Sequence, residues 1–190
     1  MSARITTHHD YIILDACVLM NLYASRQMEN ILSAITEIFT VATYVMKYEA
    51  ITVYKKSKYE LPQETEPIQL QPLIDKGLIF TVDLESDDER ASFISFSTQR
   101  LDDGEAATMA IAQHRNWAVA TDDHRAIRIF SSHNTDIQII STPELVKHWD
   151  RRQKPEKQVL RQAITDIESR ANYLVGRKHP LFQWWEQSKI

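Results

Sequence analysis

LDDGEAATMAIAQHRNWAVATDDHRAIRIFSS, residues 101–132, decides how this chain is read. Its first half sets small and apolar residues at helical spacing behind Asp102 and Asp103, either of which can cap a helix, with Glu105 in the first turn. WAVAT, residues 117–121, is an apolar run of a length that suits a buried strand. It ends at a second acidic pair, Asp122 and Asp123, after which HRAIRIFSS resumes the helical pattern. Helix, buried strand, acidic turn and helix in succession predict a parallel sheet with helices on its faces.

The same alternation extends outward. Upstream, GLIFTVDL (77–84) reads as a strand and DDERASFISFS (87–97) as a helix opened by acids that suit its positive end. Near the start, YIILDACVL (11–19) reads as a buried central strand, with Asp15 at its C-terminal end. LMNLYAS and MENILSAITEIF show helical spacing, FTVA reads as a strand, and TYVMKYEAITVYKK (43–56) as one helix carrying Glu49. Downstream, DIQIIS is a strand, and Thr142 with Pro143 predict the cap and first turn of the helix PELVKHW. EKQVLRQAITDIESRANYLVG (156–176) predicts a long amphipathic helix that Gly176 can end. In the tail, one ring at least of Trp184 and Trp185 is expected to pack on the domain or a partner. The expected organisation is one α/β domain over residues 1–150, with a proline-bearing loop or insertion at 55–76, and a C-terminal helical extension over 151–190.

Composition narrows the function. With 190 residues the chain can bury one sizeable core. No apolar run reaches the roughly 20 residues of a spanning helix, and MSARITTHHD lacks the apolar core of a secretory leader, so a cytoplasmic protein without membrane contact is expected. Cys17 is the single cysteine, which excludes an internal disulfide and a thiolate zinc cage. A net charge of −4 argues against a protein that coats nucleic acid. Local cations remain, at Lys47, Lys55, Lys56 and Lys58 and at Arg151, Arg152, Lys154 and Lys157, and both groups also suit a solvated helix face.

In an open parallel sheet, ligands bind outside the carboxyl ends of the strands. Asp15 and the pair Asp122 and Asp123 follow strands, so they face one crevice, and Glu105 and Glu49 reach it if their helices pack beside it. Clustered carboxylates repel one another unless a cation is present. Their hard oxygens suit Mg²⁺ or Mn²⁺, and a metal-bound water attacking a phosphodiester is the chemistry that follows. Three glycines leave no phosphate-cradling loop, and no Ser-His-Asp order competes. Each acid also has a plainer reading, as a cap or a surface glutamate.

Taken together, IILDACVLMNLYAS, YVMKYEA, LDDGEAATMAIA and VATDDHRAIRIF resemble the PIN-domain ribonucleases, including VapC-like toxins of toxin-antitoxin pairs, over roughly residues 11 to 140. The resemblance implies a three-layer α/β/α sandwich with a mainly parallel central sheet. It implies catalytic, metal-binding roles for Asp15, Glu49 and Glu105, and for Asp122 or Asp123, with Mg²⁺ or Mn²⁺ as cofactor. Thr121 would orient a ligand or water, and Cys17 stands where the family commonly has a small hydroxyl or amide residue. The implied activity is endoribonuclease, with RNA as substrate and an antitoxin or a second copy as partner. A catalytically inactive PIN-like scaffold and a DNA-directed nuclease of the same fold are the alternatives. A dehalogenase-like phosphatase would want an acid at position 17, and a receiver domain would want its acidic pair at the first strand.

Overall fold

The computed structural model describes residues 9–49, 51–99, 101–132 and 136–190. Residues 1–8, which carry most of the stretch searched for a leader, and Ala50 of YVMKYEA lie outside them. The elements run β1 (Tyr11–Leu14), α1 (Ala16–Ala24), α2 (Met28–Ser33), β2 (Ile38–Ala42), α3 (Thr43–Tyr48), β3 (Thr52–Tyr54), β4 (Thr65–Pro67), α4 (Gln71–Asp75) and β5 (Ile79–Val82). There follow α5 (Asp87–Thr98), α6 (Asp103–Arg115), β6 (Ala118–Ala120), α7 (His124–Ser132), β7 (Ile139–Ile140), α8 (Thr142–Gln153), α9 (Lys157–Arg170) and α10 (Phe182–Gln187).

Five strands form one parallel sheet in the order β5-β2-β1-β6-β7, flanked by helices, as the alternation predicts. The chain steps outward from β1 to β2 and β5, then returns to the other side of β1 for β6 and β7. The turning point lies between β1 and β6, the place where ligands bind in open sheets of this kind. Ile12, Ile13, Leu14 and Val119 are fully buried, which is why these strands read as unbroken apolar runs. Helix α6 is buried from Gly104 to Ala112. Its alanines let it lie close to the sheet and α5, and it is clad by protein on nearly every side.

Several boundaries differ from the sequence reading. The first strand stops at Leu14, because the Asp15 carboxylate accepts from Ala16 N at 2.8 Å and starts α1 there, so ACVL is helical. TYVMKYEAITVYKK is not one helix. Helix α3 ends at Tyr48, Glu49 is already extended at φ −93° and ψ 110°, and the β-branched Thr52 and Val53 pair with β4. The 55–76 segment contains β4 and α4, so it is a structured hairpin arm and turn. Ser141, not Thr142, caps α8 and completes a capping box with Glu144. Helix α9 ends at Arg170, and left-handed Asn172 (φ 56°), not Gly176, turns the chain.

The C-terminal extension is built into the core. Buried Arg170 donates to Ala24 O at 2.5 Å, Tyr54 O at 2.9 Å and Glu66 Oε1 at 2.5 Å, tying α9 to α1 and both hairpin strands. Fully buried Trp185 donates to Glu168 Oε1 at 2.9 Å, so one of the two tail tryptophans does pack on the domain. Among the described residues no helix is long and apolar enough to cross a membrane.

Candidate functional site: a carboxylate crevice

Asp15 sits at the carboxyl end of β1, 2% exposed, and its second oxygen accepts from Thr121 Oγ1 at 2.7 Å and from Cys17 Sγ at 3.2 Å. Thr121 in turn accepts from Asp123 N at 3.1 Å, and Cys17 from Asp122 N at 3.3 Å. The Thr121 hydroxyl proton is therefore committed to Asp15, and its role is to position that carboxylate. Cys17 does the work of a small polar residue with a thiol. Burial raises the pKa of Asp15, against the three hydrogen bonds that favour its charge. Burial and the charges of Asp15 and Asp122 push the Cys17 thiol up, so it stays protonated as a donor.

Glu49 reaches the crevice from the C-terminal end of α3. Its carboxylate lies against the first turn of α6 and takes the Gly104 N–H, and a Cβ on Gly104 would fall 1.5 Å from Glu49 Oε1. Only a residue without a side chain admits this contact. Burial, then the charges of Asp102, Asp15 and Glu105, push Glu49 up to about 7. Glu105, 7% exposed, closes a capping box with Asp102: Asp102 N donates to Glu105 Oε2 at 3.1 Å, and Glu105 N to Asp102 Oδ1 at 2.7 Å. Burial, with the charges of Asp102, Asp123 and Asp15, pushes Glu105 up to about 7 as well. Asp123 caps α7 through Oδ1, which accepts from Arg125 N at 2.7 Å and Ala126 N at 2.8 Å. Arg125, half exposed, brings its guanidinium to Glu105 Oε2 at 3.1 Å.

The fold thus brings Asp15, Glu49, Glu105 and Asp123 into one electrostatic neighbourhood, together with Asp102. The sequence reading took Asp102 only as a cap, although an Asp three residues before Glu105 was visible. It also passed over Gly104, where a glycine inside a helical pattern is itself a sign of close approach, and Arg125. Asp122 is placed differently. Its carboxylate accepts from Asn21 Nδ2 at 2.9 Å, Thr142 N at 3.0 Å, Thr142 Oγ1 at 2.5 Å and Tyr173 OH at 3.0 Å. Those donors occupy it, and its charge acts on Cys17 and Tyr173 rather than on Glu49 or Glu105. Adjacent side chains point apart, and here Asp123 faces the cluster while Asp122 faces the C-terminal segment.

Among the described residues, no three carboxylate, imidazole or thiol groups stand close enough to enclose a metal ion by themselves. The donors in the crevice are hard oxygens, those of Asp15, Glu49 and Glu105 with raised proton affinity, and the half-exposed guanidinium of Arg125 lies beside them. Mg²⁺ commonly takes one or two carboxylates and keeps several of its waters, so this open set fits such an ion without a closed cage. Neither a protein-family model, a curated protein nor a solved structure matches this chain.

Proposed function

We propose that this chain is a metal-dependent endoribonuclease of PIN-like fold that hydrolyses phosphodiester bonds in RNA. The observation that supports it most is the convergence of carboxylates from four separate segments at the turning point of the sheet, where the order reverses between β1 and β6. Asp15, Glu49 and Glu105, with Asp102 and Asp123 beside them, would hold Mg²⁺ or Mn²⁺. Asp122 is a positioning residue in this reading. When bound, the ion supplies a water of lowered pKa and positive charge against the charge developing at phosphorus.

The chain's own groups have distinct tasks. Thr121 and Cys17 fix the Asp15 carboxylate in one orientation, so a ligand meets a preformed oxygen. Glu49 and Glu105 hold protons more tightly than ordinary carboxyls, and would have to release them to ligate a cation. Arg125, whose guanidinium is half exposed beside Glu105, can swing its fork onto a substrate phosphate. The choice of RNA, a toxin's role and an antitoxin or second copy as partner rest on the resemblance to VapC-like proteins.

Incubation of purified protein with labelled RNAs and single-stranded DNAs, in Mg²⁺ or Mn²⁺ and in EDTA, tests the proposal beside Asp15→Asn. Cutting of RNA that needs both the ion and Asp15 is the expected result. Cutting by Asp15→Asn refutes the site, and cutting of DNA alone refutes the substrate. An uncut panel with no binding of Mn²⁺ favours an inactive scaffold.

A further inference from the structure

Next to the carboxylates lies a cavity of about 1080 Å³, walled by the ends of β6 and β7, the starts of α7 and α8, and residues 172–180 of the C-terminal extension. It adjoins the carboxylates, since Thr121, whose hydroxyl donates to Asp15, is part of its wall. The wall from the extension is held firmly. Tyr173 OH is bonded to Asp122, and His179 Nδ1 accepts from Leu181 N at 3.1 Å. That leaves His179 Nε2 as the protonated nitrogen, 3.0 Å from Ser141 Oγ, which donates to Glu144 Oε2 at 2.7 Å.

Both acids of the cavity are thereby engaged, Asp122 by its four donors and Glu144 by Ser141 N at 2.8 Å and its hydroxyl. Arg177 and Lys178, both exposed, have no carboxylate partner among the described residues. Ile127, Ile139 and the 68% exposed Leu174 supply apolar wall. Apolar wall under a cationic rim is the chemistry that takes a nucleobase with its phosphates from a single strand. The volume lies slightly above the roughly 300–1,000 Å³ of sites that enclose a small organic ligand, leaving room for a nucleotide.

We infer that this cavity is the subsite for the nucleotide adjoining the scissile phosphate of a single-stranded RNA, its base on the Leu174 side and its phosphate at Arg177 and Lys178. The inference rests on the nuclease reading for the position of the cut, but not for the binding. It gives the C-terminal extension a task in substrate selection.

The test is the affinity of a short labelled single-stranded RNA, read by fluorescence anisotropy in EDTA at low and moderate salt. Wild type, Leu174→Glu and the double variant Arg177→Glu with Lys178→Glu are compared. The three positions are exposed and outside the carboxylate cluster, so equal melting temperatures are expected. The double variant should bind about tenfold or more weakly, with a salt dependence shallower by roughly 1 to 2 in log–log slope. Leu174→Glu should also weaken binding. Equal affinity in all three proteins, or no binding by the wild type, overturns the proposal, and the former is also what a protein segment as the true occupant would give. If the variants lose binding but the wild type cuts nothing, the cavity remains an RNA site and the hydrolytic reading fails instead.

Discussion

Replacing Gly104 by alanine separates the stability of the fold from the integrity of the crevice. Gly104 is helical, in the first turn of α6, where alanine is ordinarily favoured by about 1 kcal/mol. Its new Cβ would lie 1.5 Å from Glu49 Oε1 and 2.5 Å from Glu49 Cδ, so the carboxylate has to leave. The cost of leaving is small, because the atoms in the way are the far end of a flexible side chain. The rise of Glu49 from 4.5 to about 7 already includes its bond to Gly104, and corresponds to about 3 kcal/mol against the charged form. Discounted for a partly exposed group, roughly 1–2 kcal/mol is regained at pH 8 when the carboxylate moves into water. Gly104→Ala should therefore melt no lower than the wild type in EDTA and up to several degrees higher, at about 2–4 °C per kcal/mol. It should nevertheless lose RNA cleavage as completely as Glu49→Gln. Differential scanning fluorimetry and a gel-based cleavage assay read the two effects. Wild-type activity in Gly104→Ala would refute the role given to Glu49, and a loss of more than about 2 kcal/mol would refute the steric argument, since the backbone would then have moved.

Asp122→Ala should destabilise by about 3 kcal/mol in urea unfolding, because it strands the donors of Asn21, Thr142 and Tyr173, whereas Asp123→Asn should reduce cleavage with a smaller loss of stability. In EDTA the melting temperature should fall as pH rises from 5 to 8. The folded state holds protons on Glu49 and Glu105 up to about 7, where unfolded carboxyls have lost them. Mg²⁺ should accordingly stabilise more at pH 8 than at pH 5, and equal stabilisation at both would contradict the site. Away from the crevice, bonding from Arg115 holds Glu89 down at about 2, at 2.7 Å from Nε. Its stabilisation of about 3 kcal/mol is present above the unfolded carboxyl's pKa near 4.5 and lost as pH falls toward 2. The urea-midpoint difference between wild type and Glu89→Gln should be constant above pH 5 and shrink below it.

The parallel sheet was legible because β1 and β6 are buried on both faces and so keep no polar alternation. The cap of α6 was legible for a local reason: Asp102 bonds the amide three positions ahead, a relation written in the sequence, whereas the cap of α8 was read one residue late. What failed depended on distant partners. Thr52 to Tyr54 sat in a helical pattern and became a strand because β4 and Arg170 were waiting for its backbone, from 11 to more than 100 positions away. Which of Asp122 and Asp123 turns away from the other carboxylates was hidden for the same reason, since Asn21, Thr142 and Tyr173 bind Asp122 from three other segments. Asp102 was visible as a cap, but its charge on Asp15 and Glu49 appears only once the two edges meet.

The bond between Tyr173 and Asp122 also orders events in time. A ribosome that has just placed Asp122 must add roughly 50 more residues before the phenol exists, about 3–10 s at ordinary elongation rates. Through that interval the nascent chain can pair its strands, yet the wall beside its carboxylates has not been made. Arg170, which closes α1 and the hairpin, arrives only three residues before that phenol. The flanking wall is therefore made after the acidic crevice, and a chain stalled after α8 would carry the crevice without the surface that flanks it.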